Sequence, residues 1–322
     1  AGRLANSAWM IAAWAPLALR RRKTKPDVVI VGTDPIFGVL TALPLKWLAP
    51  QIKVVHLCFD LYPEGAVASG LIQSRALLVR WGQRALAGAY RRCDLIADLG
   101  RCMRARLQTY NHGVRAVTLS PWALREPAQP LVVDVATRRH LFGNARLAIL
   151  YSGTFGEAHT YTDIIALVRR LRHVSAVHFC FAVRGSQAEA LRSAFGPEDT
   201  NVSFAGFAPQ SELEKRLGAA DIHLASLKPA WSGIAVPSKF IGSLAAGRPV
   251  IFAGATDSAI AYWIHTYGVG WVLDAGNIDN LADALARYAA DPASLTALWQ
   301  RCHRVYVQAF SKNKTIEVWN SE

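Results

Sequence analysis

The stretch with the clearest chemical potential is VPSKFIGSLAAGRPVI at 236–251. Proline favours the first position of a helix and glycine favours its end, so Pro237 and Gly247 bound a predicted helix. The first turn of a helix presents free N–H groups and the positive end of the helix dipole, which attract phosphate. Ser238 and Lys239 add a hydroxyl and a charge there. The stretch predicts a phosphate-binding helix end, and a capped surface helix with one solvated lysine is the alternative.

Two turns that follow predicted strands could bind the same anion. SGTFG at 152–156 ends the apolar run LAILYSGTFG, and Arg184 ends the run VHFCFAVR. Glycine lets backbone N–H groups approach a phosphate closely, so Gly153 and Thr154 are candidates for binding one. Arg184 is a further candidate for contacting it. A solvated, inert arginine is an equal alternative, because many surface charges contribute nothing.

Carboxylates follow a predicted strand in the first half of the chain. Asp60 and Glu64 come directly after IKVVHLCF, where ionisable groups can hold a hydroxyl or act as a base. Residues 32–34 follow the preceding predicted strand, and we expect them to border the same cleft as Asp60 and Glu64. His56 lies inside its strand and is predicted to be a packed core residue.

Strand-like and helix-like segments alternate along almost the whole chain. Continuous apolar strands alternating with helices are typical of parallel sheets covered on both faces. The segment 125–143 interrupts the rhythm, which then restarts. We therefore predict an α/β fold of two doubly wound Rossmann-like domains facing a cleft, 1–124 and 125–304. Because the chain opens with a helix, the first domain is expected to lack its first strands, either as a pared-down domain or because a longer protein precedes residue 1.

Composition narrows the class of protein. The 322 residues are 52% hydrophobic and 18% charged, which is typical of a globular protein with room for two cores. Five scattered cysteines without a CxxC pair argue against a disulfide framework or a zinc site and favour a reducing compartment. The chain has no DxD loop, Walker A, GxGxxG or GxSxG motif, so metal dependence and dehydrogenase, kinase or hydrolase activity have no support.

The formal charge of +13 predicts a polyanionic partner. Basic residues cluster at 20–23, 75–84 and 91–92, without a nucleic-acid-binding signature, so a membrane surface ranks above nucleic acid. The helix predicted at 77–93 either docks to anionic lipid or presents an ordinary solvated face. The uncharged stretch 4–19 is short for a membrane span, and a helix packed in the first domain is favoured over an interfacial anchor or a span.

The order and spacing of several motifs resemble the nucleotide-sugar domain of GT-B glycosyltransferases of retaining family 4. The resemblance is nearest to the branch that builds bacterial cell-surface polysaccharides and lipid-linked oligosaccharides. It covers about 26–318, and FDLYPEGAVASGLI in the first half is similar to the family's DxxPE segment. The motifs in the second half are YSGTFG, VRG, NVSFAGFAPQSELEKRLGAADIHLASL, VPSKFIGSLAAGRPVIF and GVGWVL.

The resemblance implies a retaining, hexosyl-type transferase that moves a sugar from a nucleotide diphosphate to a hydroxyl. It implies that Lys239 and Ser238 hold the donor diphosphate, and that Ala208 and Pro209 lie in a loop bordering the nucleobase. A helix at about 305–322 is expected to pack back on the first domain. The catalytic candidates are Asp60, Glu64 and Lys239, and those for donor binding are Gly153, Thr154, Arg184, Ala208, Pro209, Ser238, Lys239 and Gly242.

The implied partners and setting follow from the same resemblance. The donor is a substrate rather than a cofactor, with UDP favoured over GDP, and no metal is expected. The acceptor is a carbohydrate or a lipid-linked molecule, with an anionic membrane surface as a further partner and no nucleic acid. The expected location is cytoplasmic, at the inner face of the plasma membrane.

The chain departs from the family pattern at three positions. Relatives carry a glutamate where Gly242 stands and a second acidic residue where Ile234 stands, and many carry a histidine where Phe59 precedes Asp60. Either the site is dead, or backbone groups hold the ribose where glycine leaves room, which we favour. The rival functions are a non-catalytic partner subunit and a nucleotide-sugar epimerase or hydrolase of the same architecture.

Overall fold

The computed structural model describes residues 2–20 and 26–321, with the side chains of 5–14 and 26–321. Most of the predicted basic cluster at 20–23 therefore lies outside the described residues. The chain divides into two compact units. The first unit contains the residues up to Ser120 together with Trp231–Val236, and the second contains Pro121–Ala230 and Pro237–Ser321.

The first unit is built on a sheet of four parallel strands in chain order. The strands are β1 (Val28–Val31), β2 (Lys53–Leu57), β3 (Leu95–Asp98) and β4 (Ala116–Thr118). Val29 pairs with Val54, and Val55 pairs with Leu95. The described strand order does not reverse, so this sheet is one half of the doubly wound pattern.

Helices precede and follow these strands. They are α1 (Gly2–Arg20), α2 (Ala42–Leu48), α3 (Glu64–Ala68), α4 (Leu77–Tyr90) and α5 (Arg101–Gln108), with a 3₁₀ turn at Gly38–Thr41. The stretch predicted as a packed helix is α1, which lies against α2. His56 is buried as predicted, and its Nδ1 lies 2.9 Å from the carbonyl oxygen of Val31. No helix in the described ranges is long and apolar enough to cross a membrane.

The second unit is built on six parallel strands in the order β10-β9-β8-β5-β6-β7. They are β5 (Leu147–Thr154), β6 (Val177–Arg184), β7 (Val202–Phe204), β8 (Ile222–Ser226), β9 (Val250–Ala253) and β10 (Gly270–Leu273). The order reverses between β5 and β8, where Ile149 pairs with Ile222. This is the doubly wound arrangement that the sequence predicts, and its ligand crevice lies at the carboxyl ends of β5 and β8.

The second unit contains nine helices within the described chain. They are α6 (Val135–Phe142), α7 (Thr162–Arg170), α8 (Ala188–Ser193), α9 (Leu213–Ala219), α10 (Ser238–Ala245), α11 (Ala259–Tyr267), α12 (Ile278–Ala290), α13 (Thr296–Val305) and α14 (Lys312–Asn320). Fully buried Val, Ile, Leu and aromatic side chains fill the space between strands and helices. The predicted α/β fold with two parallel sheets is confirmed.

A buried arginine joins the ends of several of these elements. Arg248 is 0% exposed, and its guanidinium lies 4.1 Å from the ring centroid of Trp299. It donates to carbonyl oxygens at the ends of α9 and α10 and in the preceding connection, which are those of Gly218 (2.9 Å), Ala220 (2.6 Å), Ala246 (3.2 Å), Gly247 (3.4 Å) and Leu131 (2.8 Å). Burial lowers the pKa of Arg248 to about 10, so it is charged at neutral pH.

A bidentate ion pair continues this network. Arg138 of α6 donates to both carboxylate oxygens of Asp221, at 2.9 and 2.7 Å, and the amide of Ala148 donates to Asp221 Oδ2 at 2.7 Å. The indole of Trp299 donates to the carbonyl of Asp221 at 3.0 Å. Because each buried polar group has a partner, the network ties α6, β5, β8 and α13 together.

The end of the described chain belongs to the second unit. A π-helical turn at Tyr306–Phe310 joins α13 to α14, and residues up to Ser321 belong to the second unit. Tyr306 donates to Glu126 Oε1 at 2.5 Å and accepts from the amide of Ala123 at 3.1 Å. The packing of this segment on the first domain stays a prediction. The predicted boundary after residue 124 falls after Ser120 in the structure.

Replacing Arg248 with methionine tests how far the second unit depends on this network. Arg248→Met keeps the length of the side chain but removes every donor, so several buried carbonyls lose a partner. We expect the free energy of unfolding to fall by about 3 kcal/mol or more, measured by urea unfolding. The exposed Arg172→Met is the control and should change it by less than about 0.5 kcal/mol. A loss for Arg248→Met no larger than that of the control would contradict this role.

Candidate functional site

A cleft of ≈ 620 Å³ opens in the second unit at the carboxyl end of β5. It lies at the switch point of the sheet, where α9 and α10 begin. The residues singled out from the sequence that line it are Gly153, Thr154, Arg184, Ala208, Ser238, Lys239 and Gly242. Pro209 lines a neighbouring cavity of ≈ 640 Å³, which shares Ala208 with the cleft. The fold therefore brings together residues that are up to 89 positions apart in the sequence, from 153 to 242.

Lys239 is the central charged group of the cleft. Its ammonium donates to the carbonyl oxygen of Thr154 at 2.8 Å and lies 5.2 Å from the ring centroid of Tyr151. In the described part of the chain, no carboxylate lies within ion-pair distance of it. Burial lowers the pKa of Lys239 from 10.5 to about 8. The side chain is therefore mostly charged at neutral pH and has no counter-ion.

Two glycines shape the space around this lysine. Gly153 has a φ of +127°, and a Cβ there would lie 3.0 Å from Cε of Lys239. Any other residue at 153 would therefore be strained and would crowd the lysine. At Gly242, one turn further along α10, a Cβ would meet nothing within 4 Å. Gly242 therefore leaves open space in the wall of the cleft.

The start of α10 is free of a side-chain cap. Pro237 has an extended backbone and immediately precedes the helix, instead of occupying its first position as predicted. The exposed Ser238 begins the helix. At the other end, Gly247 lies one residue beyond the C-cap residue Ala246, with a φ of +73°. The N–H groups of Ser238 and Lys239, both of which line the cleft, therefore have no side-chain cap.

Two arginines lie on either side of the loop that follows β7. The guanidinium of Arg184 stacks 3.8 Å from the ring centroid of Phe207, which is 53% exposed. Arg216 donates to the carbonyl of Gly206 at 2.6 Å, and burial lowers its pKa. Arg184 and Arg216 both line the cleft, so they add positive charge beside Lys239.

A buried histidine in β8, His223, contacts α10. Burial lowers the pKa of His223 to about 3, so the ring is neutral. Its Nε2 lies 3.0 Å from the carbonyl oxygen of Leu217, and its Nδ1 lies 2.8 Å from Ser243 Oγ. Ser243 Oγ also lies 2.7 Å from the carbonyl oxygen of Lys239. This chain of polar contacts joins β8 to the helix that carries the lysine.

Several lining residues were not found from the sequence. Arg216 lies one turn after Leu213 in α9, so helical spacing from the predicted loop could have indicated it. Phe207 lies inside the predicted loop, but nothing in the sequence distinguishes its ring from a core residue. His223 and the segment 122–125 carried no signal, because the first is inside a strand and the second lies where the alternation breaks.

The two predicted carboxylates lie in the first unit and differ from each other. Asp60 is exposed at the end of β2, where partial burial and the nearby Asp34 raise its pKa. Glu64 begins α3, and its Oε1 accepts from the hydroxyl of Tyr110 and from Gln83, while Oε2 is buried without a partner. Glu64 therefore joins α3 to its neighbours. The catalytic roles of both residues stay predictions.

The described residues hold no group of three or more His, Cys, Asp and Glu side chains arranged to bind a metal ion. Four basic side chains line the cleft, Arg125, Arg184, Arg216 and Lys239, and no acidic side chain does. The arrangement can bind an anion with several charges and hold it at the start of a helix.

Comparisons with known proteins agree with this geometry. The chain is 25% identical over 256 residues to the probable glycosyltransferase WbjE of Pseudomonas aeruginosa, which matches 79% of this chain. The chain spans 64% of the length of that protein. Residues 146–291 match the family model described as "Glycosyl transferases group 1".

Solved structures show the same fold. Sucrose-phosphate synthase of Thermosynechococcus elongatus superposes with a TM-score of 0.67 at 16% identity, covering 99% of this chain and 77% of its own. HepE of Anabaena, solved with UDP, superposes with a TM-score of 0.66 at 11% identity, covering 95% and 79%. The predicted GT-B fold is confirmed, and residues 146–291 are similar to the glycosyl transferases group 1 family.

Proposed function

We propose that the chain is a glycosyltransferase that moves a sugar from a nucleotide diphosphate to a hydroxyl in cell-surface polysaccharide or glycolipid synthesis. The observation that carries the proposal is the unpaired Lys239 at the uncapped start of α10, in a cleft lined by four basic and no acidic side chains. A nucleotide diphosphate supplies the missing negative charge. The family of the domain and the names of its relatives support a sugar as the transferred group.

The diphosphate is proposed to lie against the first turn of α10. Ser238 and the free N–H groups of that turn donate to its oxygens, while Lys239 and Arg184 balance its charge. Gly153 and Thr154 border the side from which the lysine approaches. Charged groups held in place inside a cleft act more strongly than the same groups in water.

The nucleoside is proposed to lie towards the loop after β7. Ala208 and Pro209 in this loop border the base, and the exposed ring of Phe207 offers a surface for stacking. Gly242 leaves room for the ribose beside the helix backbone. UDP is favoured over GDP, and the UDP complex of the similar HepE structure supports this choice.

The chemistry is electrostatic. The bond between the anomeric carbon and the diphosphate oxygen breaks, and its electron pair leaves with the diphosphate. The acceptor hydroxyl forms the new bond to that carbon and loses its proton. Lys239 and the start of α10 stabilise the negative charge that grows on the leaving group. We propose retention of configuration, a hexosyl donor and no metal, because the basic residues of the cleft balance the charge that a metal would otherwise balance.

The acceptor is proposed to be a carbohydrate or a lipid-linked molecule, bound by the first unit. Asp60 is the candidate for holding its hydroxyl or taking its proton, because it is exposed, and partial burial of its carboxyl and the nearby Asp34 raise its pKa. Glu64 is the weaker candidate, since its carboxylate is enclosed. The proposed location is the inner face of the plasma membrane, and no nucleic acid partner is proposed.

A screen of UDP- and GDP-sugars by thermal shift tests the function. A ligand that binds only the folded state raises the stability by about 2.7 kcal/mol at a hundred times its dissociation constant. Binding with slow hydrolysis of the donor supports a transferase. An absence of binding supports a non-catalytic partner subunit. Rapid hydrolysis or epimerisation without acceptor supports the epimerase or hydrolase alternative.

Removing the lysine tests the placement of the diphosphate. We expect Lys239→Met to weaken donor binding about tenfold to a hundredfold, because a charged hydrogen bond contributes about 1.5–3 kcal/mol. The same variant should be more stable than the wild type at pH 7, because it removes a half-buried charge without a counter-ion. Below pH 8 the wild type bears the whole penalty, and the difference in stability should shrink as the pH rises from 8 towards 10.5.

The pH dependence of donor binding gives a second measurement on the same residue. Affinity in the wild type should fall as the pH rises above about 8, where free Lys239 loses its proton. Lys239→Arg keeps its charge in this range and should not show the fall. The exposed Lys312→Met is the control, and it should leave both affinity and pH profile unchanged. An unchanged affinity in Lys239→Met would place the diphosphate elsewhere.

The open space at Gly242 is tested by filling it. Gly242→Ala should raise the stability by about 0.5–1 kcal/mol, because glycine is unfavourable inside a helix. Gly242→Trp should remain folded, since no atom opposes its Cβ, but should lose most of its donor affinity by isothermal titration calorimetry. Gly82→Trp, at an equally open position in α4, is the control and should bind donor as the wild type does. Full donor affinity in Gly242→Trp would show that the ribose does not lie there.

A further inference from the structure

Helix α4 of the first unit presents two kinds of side chain to solvent. Its buried face, which packs on the core, carries Val79, Leu86, Ala89 and Tyr90. Leu77, Leu78 and Trp81 are 69%, 77% and 65% exposed, although they are large and apolar. A monomeric soluble surface rarely groups such residues without a partner.

Three arginines lie on the arc of α4 next to these apolar residues. Arg80, Arg84 and the adjoining Arg91 are spaced by four and seven residues, so they share one side of the helix within about 40°. They line a cavity of ≈ 510 Å³ together with Gln83 and Tyr110. Across the described chain, no carboxylate lies within ion-pair distance of any of the three. The guanidinium of Arg84 lies 5.8 Å from the ring centroid of Trp81, so the basic and apolar arcs adjoin.

The wall behind the arginines is held in place. Gln83 and Tyr110 both donate to Glu64 Oε1, so the carboxylate of Glu64 faces these two residues and not the arginines. The arginines therefore extend about 16 Å along the helix without a neutralising partner. This length exceeds one phosphate group and suits several anionic groups side by side.

We propose that this face of α4 binds the phosphate groups of anionic membrane lipids, while Leu77, Leu78 and Trp81 enter the boundary between headgroups and acyl chains. Arginine binds phosphate oxygens in pairs, and an exposed apolar arc beside a basic arc is the arrangement of interfacial helices. Nucleic acid would neutralise the arginines but leave the leucines and the indole in water. The inference deepens the proposed membrane location of the transferase and rests on it only for the choice of membrane.

Vesicle binding by the full chain, without donor or acceptor, tests the proposal. We expect binding to vesicles of phosphatidylcholine with phosphatidylglycerol, little binding to phosphatidylcholine alone, and weaker binding as salt is added. Changing Arg80, Arg84 and Arg91 together to glutamine should weaken binding about a hundredfold, at about fivefold for each charge. Because nothing in this assay depends on nucleotide-sugar binding, its failure is distinguishable from failure of the transferase proposal.

A matched control separates the site from net charge. Arg139, Arg172 and Arg304 are exposed and belong to the second unit, and changing them together to glutamine removes the same charge. This triple variant should lose less than about fivefold. An equal loss in both triple variants overturns the proposal, because it would reflect general attraction only. Unchanged far-UV circular dichroism and an unchanged thermal shift with a UDP-sugar check that each variant is folded.

The apolar arc has its own test. Leu77→Ser with Trp81→Ser should remove the part of the binding that persists at high salt, and Leu77→Ser with Trp81→Phe should retain more of it. Wild-type binding by the double serine variant at every salt concentration overturns the proposal. Displacement of the protein from vesicles by free pyrophosphate, at equal phosphate concentration, also overturns the proposal. Tighter binding of single-stranded RNA than of vesicles overturns it as well.

Discussion

The second unit depends on one buried charge, the guanidinium of Arg248. It lies where α9 and α10 both end, and it donates there to the carbonyls of Gly218, Ala220 and Ala246. A positive charge also suits the negative ends of two helix dipoles. Because both helices are held at this end, their other ends are held in place at the cleft. Helix α10 is 8 residues long, so its two ends are close to each other. The position of Lys239 therefore follows from an arginine at the far end of the same helix.

Lys239 in the first turn of α10 and Arg248 just beyond its end have different surroundings. Arg248 is fully enclosed and fully hydrogen-bonded, so its charge stabilises the fold. Lys239 has one carbonyl partner and no counter-ion, and burial lowers its pKa to about 8. An unbalanced buried charge is unfavourable for folding. The Arg248 network stabilises the unit, and this stability offsets the cost of holding Lys239 in the cleft.

The sequence predicted the elements better than their assembly. Alternating apolar runs sufficed for the parallel sheets, because a buried parallel strand needs a continuous apolar stretch. Gly153, Ser238 and Lys239 were found because strand ends and helix starts are visible in the sequence. Arg216 and His223 were not, since their role depends on the strand order, which places β8 beside β5 and not beside β7.

The first unit shows the same limit more clearly. Asp60 and Glu64 have similar sequence signals, but the structure exposes the first and encloses the second between Tyr110 and Gln83. No local pattern distinguishes them, because the difference arises from residues that are 19 and 46 positions away. Trp231–Val236 also belong to the first unit through long-range contacts, although they lie far from it in the sequence. Long-range packing, and not local propensity, decides which carboxylate meets solvent.

The missing acidic residue at 242 has a direct electrostatic consequence. Residues 239 and 242 are three apart on α10, so a glutamate at 242 would stand within reach of the Lys239 ammonium. Such a carboxylate would compete with a diphosphate for the lysine and raise its pKa. With Gly242 the lysine keeps its charge unpaired, and the cleft contains no acidic side chain. Glycine at 242 therefore leaves the positive charge of the cleft without a carboxylate to balance it.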